Sequence, residues 1–292
     1  MKRFTINEFR ELYPDDDACL DKIFKLRFNN LVCPKCESDK QFTRVNNRRS
    51  YQCPNCGFQV YPTKDTIFEK TTTPLTYWFY AIFLQTTTRN GVAAKELERQ
   101  LCICYKTALR MSHQIKILMA DKKMVQLTGT VQVDETYIGM KFVNKHNKER
   151  AKIYEDGGTK HDNKTGVMGF ITDDNKIRFE VIRDITSFTQ RVKNNVSKDA
   201  VIVTDSHLGY AGLDINHAKH EILNHFKNEY KRGKYTTNNI ENAWSNLKRT
   251  IKGTHIHVSP KHLQKYVDEV AFRMMNRDRQ DEMFDIILSH VA

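Results

Sequence analysis

No stretch of this sequence approaches the roughly 20 consecutive apolar residues that a membrane-spanning helix requires, which excludes a helical membrane protein. The opening residues, Met1-Lys2-Arg3-Phe4, lead into a charged segment with no apolar signal-peptide core, so the chain is expected to stay inside the cell. Internal repeats and long low-complexity tracts are absent, which excludes solenoids and arrays. Negative charge is in short supply. Asp and Glu total 35 against 47 Lys and Arg, a formal net charge of +12 with pI about 9.3. That excess fits either a soluble basic protein or one with a polyanion partner, because phosphate contacts release counterions and steer association. Seven cysteines in an intracellular chain argue against a disulfide framework.

What is present is ordinary globular composition, 39% hydrophobic and 28% charged. A length of 292 residues allows two or three small domains. Residues 1–30 read as a helical lead-in, with Phe9, Leu12, Leu20, Ile23, Phe24 and Leu26 as its apolar positions. Residues 31–65 read as a zinc ribbon. Cys33-Pro34-Lys35-Cys36 and Cys53-Pro54-Asn55-Cys56 are two C-x2-C pairs separated by 16 residues. Each pair fits a tight turn that points two thiolates at one tetrahedral ion. The polar, β-leaning sequence between them suits short strands. A redox C-x-x-C is the alternative, but it needs no second copy. Cys19, Cys102 and Cys104 are expected to be packed or surface thiols.

Residues 66–125 read as a helix-turn-helix-like segment. Pro74 opens a helix whose apolar face holds Trp78, Phe79, Ile82 and Phe83. Beyond Gly91, a short helix over 93–101, a turn at Cys102-Ile103-Cys104 and a longer helix from Tyr105 toward Met119 have helix-turn-helix spacing. The turn lacks the expected glycine, and a helical spacer between domains is the alternative.

Residues 126–292 read as an α/β domain. Val131-Gln132-Val133-Asp134-Glu135-Thr136-Tyr137-Ile138 alternates like a half-buried strand. Residues 141–164 are polar and read as a mobile loop. Strands over 167–172 and 177–182 flank the turn Asp173-Asp174-Asn175-Lys176. A helix follows over 188–196. Ala200-Val201-Ile202-Val203-Thr204-Asp205 is an apolar run ending in a carboxylate, as in a buried strand with a functional C-terminal end. Helices over 239–251 and 261–277 complete the domain. Three strands, a helix, a strand and a helix, with acids on different elements, are the layout of a ribonuclease-H-like α/β domain.

Three acids stand out. Asp134 interrupts an apolar strand, where a carboxylate is costly unless paired or bound to metal. Asp205 ends the most apolar strand. For either alone, a carboxylate capping the next helix is an equal reading. Ile240, Trp244, Leu247 and Ile251 form one buried helical stripe. Glu241, Ser245, Lys248 and Lys252 follow one residue later, so the helix presents an acid and two cations beside its packed face. A solvated charge face is the alternative, and Glu135 and Glu229 are competing acids. Three carboxylates gathered from distant parts of a chain are the minimum for two Mg²⁺ ions about 3.5–4 Å apart, which activate a nucleophile and relieve charge on the leaving oxygen of a phosphodiester. His255, His257 and His262, and His217, His220 and His225, form two loose groups that fit hydrogen bonding or phosphate contact, with a second zinc site on their irregular spacing as the alternative. His207 is assigned no role.

Val133-Asp134-Glu135-Thr136-Tyr137-Ile138-Gly139 resembles the first catalytic strand of insertion-sequence DDE transposases with an N-terminal zinc ribbon, a group related to the Merlin elements. The stretch from Thr237 through Glu241 to Lys248-Arg249 is similar to their third motif. Gly253-Thr254-His255, Lys261-His262-Leu263, Phe272-Arg273 and Asn276-Arg277 continue the likeness, as do Thr66-Ile67-Phe68, Thr73-Pro74-Leu75, Trp78-Phe79 and the ribbon. Met140 and Cys102 stand where glycine is usual. The resemblance implies a metal-dependent transposase that recognises the terminal inverted repeats of its element and binds double-stranded DNA, both element ends and target. It implies catalytic and metal-holding roles for Asp134, Asp205 and Glu241, with Mg²⁺ or Mn²⁺ as catalytic ions, and a match of Lys248 to the family's lysine. Structural Zn²⁺ would sit on Cys33, Cys36, Cys53 and Cys56. Asp134 is expected to bridge two ions, Asp205 and Glu241 to hold one side each, and Lys248 to orient a phosphate. A homo-oligomer is expected when active, without a membrane partner, in the cytoplasm near the nucleoid or in a eukaryotic nucleus. The rival readings are a DNA-binding regulator derived from a transposase and a nuclease on the same fold.

Overall fold

The computed structural model describes residues 4–120, 125–139, 142, 146–155, 164–182, 188–206, 208–210, 213, 218–223, 231–233 and 235–291. The chain divides into two compact units, Met1–Met119 with Asp278–Ala292, and Ala120–Arg277.

In the first unit, helix α1 (Ile6–Leu12) starts at a capping box, with Thr5 accepting from the Glu8 amide and Glu8 reaching back to the Thr5 amide. Helix α2 (Asp16–Arg27) is capped by Asp15. Strands β1 (Thr43–Val45), β2 (Ser50–Gln52) and β3 (Gln59–Val60) form an antiparallel sheet in that order. The Phe24 ring stacks on Tyr51 with centroids 4.0 Å apart, and Arg44 pairs with Asp17 at 2.6 Å. Helix α2, within the helical lead-in read over residues 1–30, therefore packs on the ribbon.

Helices α3 (Leu75–Thr87), α4 (Ala94–Leu101) and α5 (Tyr105–Leu118) follow, and Pro74 caps the first of them as the sequence predicts. Cys102 ends α4 in the left-handed conformation at φ 52°, the position where glycine was expected. Helix α10 (Met283–Ser289) belongs to this unit, whereas the sequence reading runs the last domain to residue 292. The reason is aromatic packing. Phe284 meets Phe9, Tyr13 and Phe79 at centroid distances of 6.2, 5.5 and 6.0 Å.

The second unit is built on a five-stranded sheet. Its strands are β4 (Thr130–Ile138), β5 (Thr165–Thr172), β6 (Ile177–Ile182), β7 (Val201–Asp205) and β8 (Lys219–Leu223), in the spatial order β6-β5-β4-β7-β8. The first three pair antiparallel, and β4, β7 and β8 run parallel. One face carries Val131, Val133, Met168, Phe170 and Ile202 against Phe188 and Val192 of α7 (Phe188–Asn195) and against Tyr210 and Leu213. The other carries Val167, Ile171 and Phe179 against α8 (Asn238–Thr250) and α9 (Leu263–Met275). Alternation along the strands dictates this division, since successive side chains point to opposite faces.

The predicted loop over 141–164 is in part a helix, α6 (Asn147–Glu155), with no buried residue. Glu149, Ala151 and Lys152 favour helix without any apolar stripe, so periodicity could not reveal it. Strand β8 was also not foreseen, because Lys219, His220 and Glu221 hide its alternation. A short hairpin joins β9 (Lys231–Arg232) to β10 (Tyr235–Thr236) ahead of α8. His207, His217, His225 and Glu229 lie outside the described residues.

Candidate active site and metal centre

The four ribbon cysteines sit on two turns of the same form. Cys33 O accepts from the Glu37 amide and Cys53 O from the Gly57 amide, at 2.8 and 2.9 Å. Glu37 and Gly57 both take positive φ, 54° and 70°. Sγ of Cys33 lies 3.6 Å from that of Cys56, and Sγ of Cys36 lies 3.7 Å from that of Cys53. Tetrahedral sulfurs at about 2.3 Å from a zinc ion stand about 3.8 Å apart, so the cluster has the dimensions of a zinc site with four thiolate ligands. Hydrogen bonds from the Asn55 side chain and the Ser38 backbone lower the Cys36 thiol to about 6. Against the lowering effect of the Phe58 backbone hydrogen bond, burial and the neighbouring cysteines push Cys56 up to about 12, so without a cation the four sulfurs do not all ionise together. Cys19 is buried, and Cys102 and Cys104 are exposed, as expected of thiols outside the cluster.

In the second unit the parallel pairing of β4 and β7 sets Thr130 beside Val201, Val131 beside Ile202 and Gln132 beside Val203. The bonded pairing ends there, and Asp134 and Asp205 lie two residues further along their strands, near enough for the Asp205 charge to act on the Asp134 carboxyl. Both side chains then point to the α8 face. Burial raises the Asp134 carboxyl from 3.8 to about 7, against the lowering effect of the Trp244 hydrogen bond, and the charges of Glu135 and Asp205 raise it too. A partly buried carboxyl crowded by two acids is one whose charged form a nearby cation would favour.

Helix α8 closes the site from above. The Ile240 amide donates to Oε1 of Gln132 at 3.3 Å, and Nε1 of Trp244 donates to Oδ2 of Asp134 at 2.7 Å. Glu241 lies between these two contacts in sequence, exposed in the first turn of α8, with the Thr237 hydroxyl donating to its Oε1 at 3.2 Å. The predicted stripe holds. Ile240, Trp244, Leu247 and Ile251 are buried, and Glu241, Ser245, Lys248 and Lys252 are exposed. Among the described residues, only the four cysteines form a group of three or more His, Cys, Asp or Glu ligands whose donor atoms all lie within 4.8 Å of one another. Asp134, Asp205 and Glu241 therefore do not all bring their carboxylate oxygens within 4.8 Å of one another.

Sequence reasoning missed three participants. Trp244 was read as packing alone, yet a buried indole N–H needs an acceptor, and that rule pointed to a carboxylate. Gly169 pairs with Asp134 across β4 and β5, and a Cβ there would lie 2.5 Å from Cη2 of Trp244. The glycine is what lets the indole reach Asp134. Tyr210 donates its hydroxyl to Oε2 of Glu135 at 2.5 Å on the opposite face, and burial together with Glu135 raises its own pKa strongly. No spacing in the sequence signals that pair.

A transposase zinc-ribbon domain model matches residues 14–59 and an ISXO2-like transposase domain model matches residues 126–275, just over half of the chain. An uncharacterized protein in transposable element ISH50 of Halobacterium salinarum is 24% identical over 256 residues, which span 84% of this chain and 85% of that protein. No solved structure matches the chain. Among the described residues, no helix is long and apolar enough to cross a membrane.

Proposed function

The chain belongs to the ISXO2-like transposase domain family, and from that premise we propose that it cuts DNA at the terminal inverted repeats of its element and joins the freed ends to target DNA. The observation that carries the reading is the charge coupling between Asp134, midway along β4, and Asp205, at the end of the neighbouring β7, with Asp134 raised to about 7 by burial and nearby acids. The donor set is all carboxylate, which suits Mg²⁺ or Mn²⁺. Asp134, Asp205 and Glu241 would hold two such ions. When bound, these provide an activated oxygen nucleophile at neutral pH and charge relief at the leaving oxygen.

The chain's own residues do the rest. Trp244 fixes one oxygen of Asp134 and leaves the other for a cation. Glu241 sits where the helix dipole favours a carboxylate. Lys248 follows it by two turns on the exposed side of α8, in reach of a phosphate. Water would attack first and free a 3′-hydroxyl, which would then attack the target strand. The sheet order β6-β5-β4-β7-β8, antiparallel on one side of β4 and parallel on the other, supports a ribonuclease-H-like fold for this unit. The ribbon, and α4 and α5 with their three-residue turn, would bind the element ends. Structural zinc would hold the ribbon. Joining two ends calls for at least two copies of the chain.

The test is cleavage of labelled element-end duplex in Mg²⁺. Asp134→Ala and Asp205→Ala are expected to lose cleavage by at least a hundredfold while binding DNA within a few-fold of wild type. Cleavage by either variant near the wild-type rate would refute the assignment. Cutting without joining by the wild type would favour a nuclease.

A further inference from the structure

Beyond α8 the chain makes one turn of π-helix, Ile251–His255, and then a reversal centred on Ile256. The His257 amide donates to His255 O at 2.7 Å, and Ile256 has φ 62° and ψ −56°. This is the positive-φ γ-turn, a rare and strained form. A β-branched residue at positive φ is a steric outlier. Ile256 is also 81% exposed, the highest value among the exposed large hydrophobic side chains described. An isoleucine is thus held in an unfavourable backbone well and gains no burial from it.

The surroundings impose the conformation. The His255 side chain is 5% exposed, its ring packs edge-on against Tyr266 at 4.7 Å, and Nε2 lies 3.5 Å from Oε2 of Glu269. Glu269 is fully buried and Arg273 pairs with it at 3.2 Å. Residue 255 is therefore anchored in the fold while residue 256 is thrust out of it. Strain of this kind persists only where neighbours over-determine it, and it concentrates at sites of function. Apart from the buried Glu269, the charge in the sequence leading into and out of the turn has one sign. From Asn242 to Val267 there is no Asp or Glu, but there are Lys248, Arg249, Lys252, Lys261 and Lys265. Lys248, Arg249, Lys252 and Lys261 are exposed.

We propose that Ile256 is a wedge that enters between two base pairs of the element-end duplex, with the flanking lysines on the phosphates to either side. Apolar side chains used this way unstack a base step and kink the duplex. The inference rests on the DNA-cutting reading above. Ile256 lies about 20 Å along the helix from Glu241 at 1.5 Å per residue, which is roughly six base pairs of duplex. With α8 laid along the duplex axis, the wedged step lies about that far from the cut.

The test uses the full, zinc-loaded chain without added Mg²⁺, and element-end duplexes carrying an adenine analogue that brightens when unstacked, placed in turn at each step near the expected position. Wild type and Ile256→Leu are expected to brighten one step several-fold. Ile256→Gly, which removes the wedge and relieves the positive φ, is expected to lose the signal and bind several-fold more weakly with the same salt dependence. Equal brightening by Ile256→Gly, or a dark analogue at every step in a duplex that wild type binds and cuts when Mg²⁺ is added, would overturn the wedge and leave the transposase reading standing. A wild-type protein that neither binds nor cuts element-end DNA would overturn both.

Discussion

Asp134 is a liability to the fold and an asset only with a cation. Its carboxyl is raised from 3.8 to about 7, first by burial. Between those values the unfolded chain ionises while the folded one keeps its proton, so rising pH favours unfolding, and above pH 7 the penalty is constant. The penalty is up to about 4 kcal/mol. Asp134→Asn is therefore expected to leave thermal stability unchanged near pH 4 and to raise it at pH 8, in zinc-loaded protein without other metal. Added Mg²⁺ should then stabilise the wild type and not the variant. A melting curve at each pH decides this, and a variant less stable at pH 8 contradicts the account of the carboxyl. Trp244→Phe removes the donor that lowers the Asp134 pKa, so the acidic limb of the cleavage pH profile should move to higher pH. Gly169→Ala places a Cβ against the indole. Overpacking of this kind costs about 1–3 kcal/mol, and the same upward shift of the pH profile should accompany it.

At the scale of elements, the αL position of Cys102 costs roughly 1–2 kcal/mol for a residue with a Cβ. Cys102→Gly is expected to raise the melting temperature, with a gain of up to about 1 kcal/mol after glycine's extra unfolded-state freedom is counted. The ribbon has short strands and depends on its four sulfurs, so chelating zinc or making Cys36→Ser should open residues 31–60 to protease while the sheet of the second unit stays protected. Elements that follow one periodicity were legible in the sequence. The stripe of α8, the two cysteine turns and the Asp173–Lys176 turn all carry their own local chemistry. Helix α6 was not legible because it buries nothing, and β8 because charge masks its alternation. The attachment of α10 to the first unit rests on aromatic contacts distant in sequence, which no local pattern announces. The acids could be proposed from their setting, but the indole bonded to Asp134 and the glycine beneath it depend on strand register.

For the whole molecule, a net charge of +12 predicts DNA affinity that falls steeply with salt. Wild-type binding to element-end duplex should weaken at least tenfold between low and physiological ionic strength, and Lys248→Ala should lessen the slope by about one. Both units take part in the proposal, one presenting the ribbon and helices, the other the carboxylates. The measurement that bears most directly on the central claim is strand transfer of labelled element-end DNA in Mg²⁺, wild type beside Glu241→Gln. Joined products from the wild type, absent in the variant although it binds the same DNA, are the predicted result. Joining by Glu241→Gln at the wild-type rate would contradict the assignment of the third acid.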